Sequence, residues 1–138
     1  MVSKLLIALV LMAVSVAIHA SGVAGALDWS RRRSDSQYFR RRTWLFIVVA
    51  AWMVLLHLGE ITVWAVFYRL TGAISDFASA LYFSAVTYTT TGYGDIVLPQ
   101  DYRLVGGVEA LTGILMCGWS TGFFFAVVAR MHKTADAR

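Results

Sequence analysis

Three apolar stretches, at residues 5–27, 44–68 and 102–130, dominate this chain of 138 residues. An α-helix needs about 20 apolar residues to cross a hydrocarbon core of about 30 Å, and each stretch is long enough. The composition agrees, because 59% of the residues are hydrophobic and only 14% are charged. So few charges exclude an ordinary soluble domain. The sequence therefore predicts an all-α membrane protein with three transmembrane helices.

A polar, glycine-containing stretch interrupts this pattern at residues 89–95, with the sequence Thr-Thr-Thr-Gly-Tyr-Gly-Asp. Polar backbone at membrane depth is tolerated only where it is buried in protein or lines a water-filled path. Gly92 and Gly94 can adopt left-handed dihedrals without a Cβ penalty, so successive carbonyl groups can point the same way. Oxygens presented in this way can replace the water around a dehydrated potassium ion. The stretch therefore indicates one wall of an ion-selectivity filter.

The predicted ion ligands are mainly backbone oxygens of this stretch. The ion-binding residues are Thr90, Thr91, Gly92, Tyr93 and Gly94. The direct potassium ligands are the carbonyls of Thr90 to Tyr93, together with the Thr90 hydroxyl at the inner mouth. Asp95 places a carboxylate at the outer mouth and is expected to support the filter. We expect no cofactor, with K⁺ as the transported ion.

The segment Thr90-Thr91-Gly92-Tyr93-Gly94 resembles the filter signature of the tetrameric potassium channels. Residues 80–89 resemble the pore helix of that family, and with the flanking helices the similarity runs from about Trp44 to Arg130. The resemblance implies a homotetramer that conducts K⁺ passively, in which each chain contributes one filter segment to a central axis. Similarity to the small bacterial members of the family predicts the inner (plasma) membrane of a bacterium as its location.

The resemblance also divides the chain into an extra N-terminal helix and a pore domain. The predicted segments are the extra transmembrane helix at 1–27, an Arg-rich cytoplasmic loop at 28–43, the pore domain at 44–130 and a short cytoplasmic tail at 131–138. Within the pore domain they are an outer helix at 44–68, a re-entrant pore helix at 76–89, the filter at 90–95 and an inner helix at 102–130. The N-terminus then lies outside and the C-terminus in the cytoplasm. The alternative for the first stretch is a cleaved signal peptide, because Lys4 precedes an apolar core and small residues.

Two arginine triplets lie between the first two apolar stretches: Arg31, Arg32, Arg33, Arg40, Arg41 and Arg42. Basic clusters beside membrane segments mark the cytoplasmic side, and they can attract anionic lipid headgroups. The gating charges of a voltage sensor recur at every third residue within a span, whereas these are contiguous and flank it. We therefore predict a topology anchor, with regulation by lipid as the alternative.

Three positions depart from the commonest pattern of the resembling family. Thr91 stands where Val or Ile is usual, so filter stability is expected to differ while ion binding survives. Tyr82-Phe83 replaces a pair of tryptophans, although Tyr82 can still donate its hydroxyl to Asp95 and brace the outer filter. Val86 replaces an acid that some bacterial members place behind the filter. A weakly selective cation channel on the same fold is therefore an alternative to a potassium channel.

His57, Glu60 and Glu109 are ionisable residues within predicted membrane helices, and such residues are functional-site hypotheses by default. His57 and Glu60 share one helix face, and Glu60 lies near enough to the outer end to reach interfacial water. Glu109 lies at a similar depth and could accept a hydrogen bond from Thr87 or Ser84. Glu109 and Thr87 would then support the filter, and proton binding would affect conduction. Plain structural bonding, or exposure of Glu109 to the pore, is the alternative.

The predicted gating residues lie on the inner helix. Gly113 aligns with the position at which the resembling family bends this helix, and Gly118 follows five residues later. The alternative is that these glycines only let helices approach closely. The residues expected to face the central cavity are Ile114, Cys117 and Thr121. A ring of Phe124 or Phe125 nearest the cytoplasmic mouth could close the path by dewetting.

Other function classes have little support in the sequence. It shows no catalytic constellation, no cysteine-pair metal spacing and no phosphate loop, so an enzyme is not expected. Half of the twelve basic residues lie between the first two apolar stretches, and no basic, aromatic-interleaved face points to nucleic acid. A non-conducting accessory subunit, whose extra helix binds a partner, is the alternative of a different class.

Overall fold

The computed structural model describes residues 2–33 and 39–136, which form four α-helices and contain no strand. The helices are α1 (Val2–Arg33), α2 (Phe39–Leu70), α3 (Phe77–Tyr88) and α4 (Arg103–Asp136), with a 3₁₀ turn at Gln100–Tyr102. Three segments are long and apolar enough to cross a membrane: Val2–Trp29, Thr43–Leu70 and Gln100–Ala129. The prediction of an all-α membrane protein with three membrane helices and one shorter helix is confirmed.

Helix replaces most of the loop predicted at residues 28–43. α1 continues to Arg33, and α2 begins at Phe39. An ion pair between Arg32 Nη2 and Asp28 Oδ2, 2.9 Å apart, joins successive turns at the end of α1, where the sequence predicted loop. Residues 34–38 of this region lie outside the described residues, as do the side chains of Ser30, Arg31, Arg33, Phe39, Arg40, Arg41 and Arg42. The predicted contacts of the arginines with lipid stay predictions.

The ends of α3 and α4 also differ slightly from the predicted bounds. The pore helix predicted at 76–89 is α3 together with its two caps, Asp76 and Thr89. Asp76 Oδ1 accepts a hydrogen bond from the Ser79 backbone N–H at 2.9 Å. Hydrogen bonds from Ser79 lower the pKa of Asp76, so its carboxylate stays ionised where the helix dipole favours negative charge. α4 continues past the predicted end of the inner helix, to Asp136.

The short helix α3 packs between α2 and α4, and α1 packs against α2 and α4. One buried cluster surrounds α3 and includes Trp64, Tyr68, Phe83, Tyr88 and Met116. A second cluster lies nearer the other end of the helices and includes Val49, Met53, Phe123 and Val127. α1 contributes Ala8 to the first cluster and Val23 to the second. The first helix is therefore packed against the pore domain along most of its length.

α3 and α4 approach most closely at Gly113. A Cβ atom at this position would collide with the backbone carbonyl of Tyr88. Only glycine allows two helices to meet with this separation. Gly118 differs, because no atom of the described residues lies within 4 Å of where its Cβ would be. Close packing therefore accounts for Gly113 and leaves Gly118 without such a constraint inside the chain.

Replacement of Gly113 by alanine tests this contact. We expect Gly113→Ala to lower the free energy of unfolding by about 1–3 kcal/mol, because the added methyl group forces α3 and α4 apart. Thermal unfolding of the purified protein in detergent measures the change. The matched control is Gly107→Ala, an exposed helical site with open space around it, which should be neutral or slightly stabilising. Equal unfolding temperatures for Gly113→Ala and the unmutated protein would show that the contact is absent.

Candidate functional site

The polar loop after α3 alternates in backbone handedness. The φ angle is +60° at Thr90, +53° at Gly92 and +77° at Gly94, whereas Thr91 and Tyr93 have negative φ. The two glycines thus take the left-handed values expected of them. Thr90 takes one too, which the sequence did not predict, and such a conformation costs a β-branched residue about 1–3 kcal/mol. Alternating handedness of this kind is the backbone geometry that the predicted filter requires.

The last turn of α3 holds the loop in place. The backbone N–H of Thr90 donates to the Thr87 carbonyl at 2.9 Å, and that of Gly92 donates to the Val86 carbonyl at 3.0 Å. The final carbonyls of a helix have no partner within the helix, so the loop supplies the hydrogen bonds they lack. The position of α3 therefore fixes the position of the strained residue and of the first glycine.

The side chain of Thr91 has a polar partner within the chain. Its Oγ1 lies 3.0 Å from Thr89 Oγ1, and the Thr89 hydroxyl donates to the Ala85 carbonyl at 2.7 Å. The usual Val or Ile could not form this contact. The departure from the family pattern at position 91 thus adds a hydrogen bond between the loop and the end of α3.

Tyr82 and Asp95 form the hydrogen bond that the sequence suggested. The Tyr82 hydroxyl donates to Asp95 Oδ2 at 2.8 Å. This bond raises the pKa of Tyr82, so the phenol stays protonated and remains a donor. Asp95 lies at the end of the loop and Tyr82 in the middle of α3, so the bond ties the two together. Its effect on an ion path stays a prediction.

Glu109 is fully buried where α2, α3 and α4 meet. Its Oε2 accepts a hydrogen bond from the Tyr68 hydroxyl at 2.7 Å, and its Oε1 accepts one from the Ser84 hydroxyl at 2.5 Å. The contact with Ser84 is one of the two predicted for this carboxyl. Thr87, the other predicted partner, is not among the groups that bond Glu109 in residues 2–33 and 39–136. Thr87 instead accepts the backbone bond from Thr90, so its supporting contact is made through the main chain.

A second buried carboxyl group, that of Glu60, belongs to a closed ring of hydrogen bonds. Glu60 Oε1 lies 2.9 Å from His19 Nδ1, and Oε2 accepts from the Tyr88 hydroxyl. The Tyr88 oxygen lies 3.2 Å from His57 Nδ1. Ser120 Oγ completes the ring, at 3.0 Å from His57 Nε2 and 3.2 Å from His19 Nε2. The ring includes a side chain from each of the four helices.

This ring corrects one prediction and adds a residue that was missed. Glu60 was expected to reach interfacial water, but it is fully buried because α1 covers its face of α2. His19 was not proposed as a functional residue. It is nevertheless the one ionisable residue in the apolar stretch 5–27, and an ionisable residue in a membrane helix is itself a signal of function.

The predicted gating residues differ in their surroundings. The ring of Phe124 packs against that of Phe46, with centroids 5.8 Å apart, whereas Phe125 is 73% exposed. Within the chain, Phe124 thus belongs to the packed interior and Phe125 is left free. The residues predicted to face a central cavity, namely Ile114, Cys117 and Thr121, are all exposed.

A short helix inside a membrane bundle, followed by a loop of alternating handedness, is the arrangement of a pore-loop ion channel. A family model described as ion channel matches residues 43–130, which is more than half of the sequence. The chain therefore belongs to this ion channel family and is an integral membrane protein. The match covers most of α2, all of α3 and the loop after it, and most of α4, and it leaves out α1. Neither a curated protein nor a solved structure matches the chain.

Removal of the Ser84 hydroxyl tests the buried support of α3. We expect Ser84→Ala to lower the free energy of unfolding by about 1–3 kcal/mol, because the buried Glu109 loses the hydroxyl that donates to it and the Ile61 carbonyl loses a polar neighbour. Thermal unfolding in detergent measures the loss. The control is Thr62→Ala, which removes an exposed hydroxyl bonded to Leu58 of its own helix and should change stability by less than about 0.5 kcal/mol. Similar effects of the two substitutions would contradict a supporting role for the Ser84 contact.

Proposed function

We propose that the protein is a potassium-selective channel that conducts K⁺ passively through the loop at residues 90–95. The observation that carries the proposal is the alternation of φ at Thr90, Gly92 and Gly94 in a loop exposed on a single chain. The carbonyls of Thr90 to Tyr93 and the Thr90 hydroxyl are the proposed ligands. They take the place of the water that K⁺ leaves behind, while Na⁺ loses more in dehydration than they return.

A homotetramer is proposed because one loop forms only one wall of such a path. The residues of the loop are exposed on the single chain, and the side chain of Tyr93 is 71% exposed. Polar backbone in a membrane must be buried in protein or line water, so this surface needs neighbours. Four copies around one axis would surround the ion and leave a narrow aqueous path between them.

The proposed orientation has the N-terminus outside and the C-terminus in the cytoplasm of a bacterium. Three membrane helices put the two termini on opposite sides, and the arginine triplets between α1 and α2 favour the cytoplasmic side for that connection. In this orientation the C-terminus of α3 points inwards. Its dipole then favours a partly dehydrated cation waiting below the loop.

A weakly selective cation channel is the second candidate. The observation that favours it is the hydrogen bond between the Thr91 and Thr89 hydroxyls. The potassium channels that this loop resembles usually carry an aliphatic side chain at the position of Thr91. A different contact beside the filter changes the spacing of its carbonyl oxygens, and selectivity depends on the geometry and number of those oxygens. The two candidates share one fold and differ only in the ratio of K⁺ to Na⁺ conduction.

Ion flux into liposomes that contain the purified protein tests the proposal. We expect K⁺ flux at least about tenfold faster than Na⁺ flux, together with the mass of a tetramer. Gly92→Ala should abolish the flux, because a side chain is strained at a φ of +53°. Gly107→Ala serves as the control and should conduct normally. Bi-ionic reversal potentials near zero would favour the weakly selective channel, and the absence of both flux and tetramers would favour an accessory subunit.

We also propose that Phe125 forms the constriction at the cytoplasmic end of α4. Its ring is exposed on the single chain, so four copies could meet at an axis and exclude water. Phe125→Ala is therefore expected to raise the leak of the closed channel. Phe124→Ala should instead lower thermal stability, because Phe124 packs against Phe46. Unchanged closed-channel leak in Phe125→Ala liposomes would place the constriction elsewhere.

A further inference from the structure

We propose that His19, His57 and Glu60 form a binding site for one divalent transition-metal ion, with Zn²⁺ as the probe, and that the bound ion reduces conduction by acting on Tyr88. No residue of this site belongs to the loop that is proposed to carry K⁺. The effect on conduction rests on the proposed function, whereas the binding of the ion does not.

Two imidazoles and one carboxylate are a ligand set that zinc and its neighbours in the first transition series accept. The donor atoms of His19, His57 and Glu60 all lie within 4.8 Å of one another, and His19 Nδ1 is already 2.9 Å from Glu60 Oε1. Zinc bonds of about 2.0–2.2 Å place tetrahedral ligands roughly 3.4 Å apart. Small rotations of the two imidazole rings would therefore bring the three donors to bonding distance of one ion.

The surroundings also suit a metal site. His19 and Glu60 are fully buried, whereas His57 is partly accessible and offers a route of entry. The hydroxyl of Ser120 lies within hydrogen-bonding distance of both imidazoles and could orient them around an ion. The ring of Trp119 packs against that of His19, with centroids 5.5 Å apart.

Tyr88 connects this cluster to the loop. It is the last residue of α3, and its hydroxyl donates to Glu60 and contacts His57. An ion bound by Glu60 and His57 would draw both groups away from Tyr88. The end of α3 would then lose the side-chain bonds that hold it, and the strained Thr90 two residues later would lose its support. We therefore expect Zn²⁺ to lower conduction.

A cobalt titration of the full-length protein in detergent tests the binding. A background of Cys117→Ser with His132→Asn removes the thiol and the third histidine, leaving His19 and His57 as the only histidines. We expect one Co²⁺ per chain, seen as d–d absorption bands that Zn²⁺ abolishes. His19→Asn should weaken binding by more than about 100-fold, since loss of even an outer-shell partner costs 10–100-fold.

Two further variants separate loss of a ligand from loss of folding. Glu60→Gln keeps the size of the side chain but replaces one carboxylate oxygen with an NH2 donor, and it should also abolish the bands. Ser15 lies one turn before His19 on the same side of α1, and its hydroxyl accepts a hydrogen bond from the Trp64 indole. Ser15→Ala removes only this hydroxyl, so the variant should bind Co²⁺ normally. Absence of d–d bands in the background protein would overturn the site. Bands that persist in both His19→Asn and Glu60→Gln would overturn it as well.

The effect on conduction is measured with the same proteins in liposomes. Saturating Zn²⁺ should slow K⁺ flux at least about tenfold in the background protein and leave the residual flux of His19→Asn unchanged. Equal flux with and without Zn²⁺ in a protein that binds Co²⁺ would overturn the action through Tyr88. If the protein carries no K⁺ flux without metal, the proposed channel function fails, and the cobalt titration alone still decides whether the site exists.

Discussion

A helix that ends inside a membrane leaves carbonyl groups that lipid cannot satisfy, and this constraint organises the whole chain. α3 has 12 residues, so it is about 18 Å long and stops well short of a hydrocarbon core of about 30 Å. Its final carbonyls accept hydrogen bonds from the backbone N–H groups of Thr89, Thr90 and Gly92. The loop therefore supplies the hydrogen bonds that the end of α3 lacks. The alternating φ angles that allow these bonds also leave the residues of the loop exposed.

The neighbouring helices hold α3 through two buried carboxyl groups. Ser84 donates to Glu109 on α4, and Tyr88 donates to Glu60 on α2, so the C-terminal half of the short helix is attached to both long helices. A buried carboxyl group is costly unless it is well hydrogen-bonded, which makes these contacts sensitive to any displacement of α3. α1 takes part through His19, although it lies outside the region that matches the ion channel family.

The sequence predicted those features that depend on local chemistry. The lengths of the apolar segments predicted the three membrane helices. Gly92 and Gly94 predicted two positions with left-handed dihedrals, because glycine alone adopts such dihedrals without strain. Thr90 was not predicted, since its conformation is imposed by the bonds of the loop to α3 and runs against its own preference. The helix ends were set too short because arginine clusters are polar and were taken for loop, although arginine is a good helix former.

Contacts between distant residues were harder to predict. The position of Glu60 along α2 predicted that it lies near water. Position along a helix does not reveal which of its faces another helix covers. His19 and Glu60 are 41 residues apart, and nothing in the spacing of a membrane helix specifies such a partner. The contact between Glu109 and Ser84 was one of two that the sequence suggested, because a carboxyl group on the inner helix behind the pore helix can reach the hydroxyl groups of that helix.

The contact at Gly113 has a mechanical consequence for α4. The backbone of α4 is in contact with the carbonyl of Tyr88 at this residue. On its C-terminal side, residues 114–136 form a part of α4 about 33 Å long that packs on α1 and α2. If this part of the helix tilted by about 10° at Gly113, Phe125 would move by about 3 Å, because it lies roughly 18 Å along it.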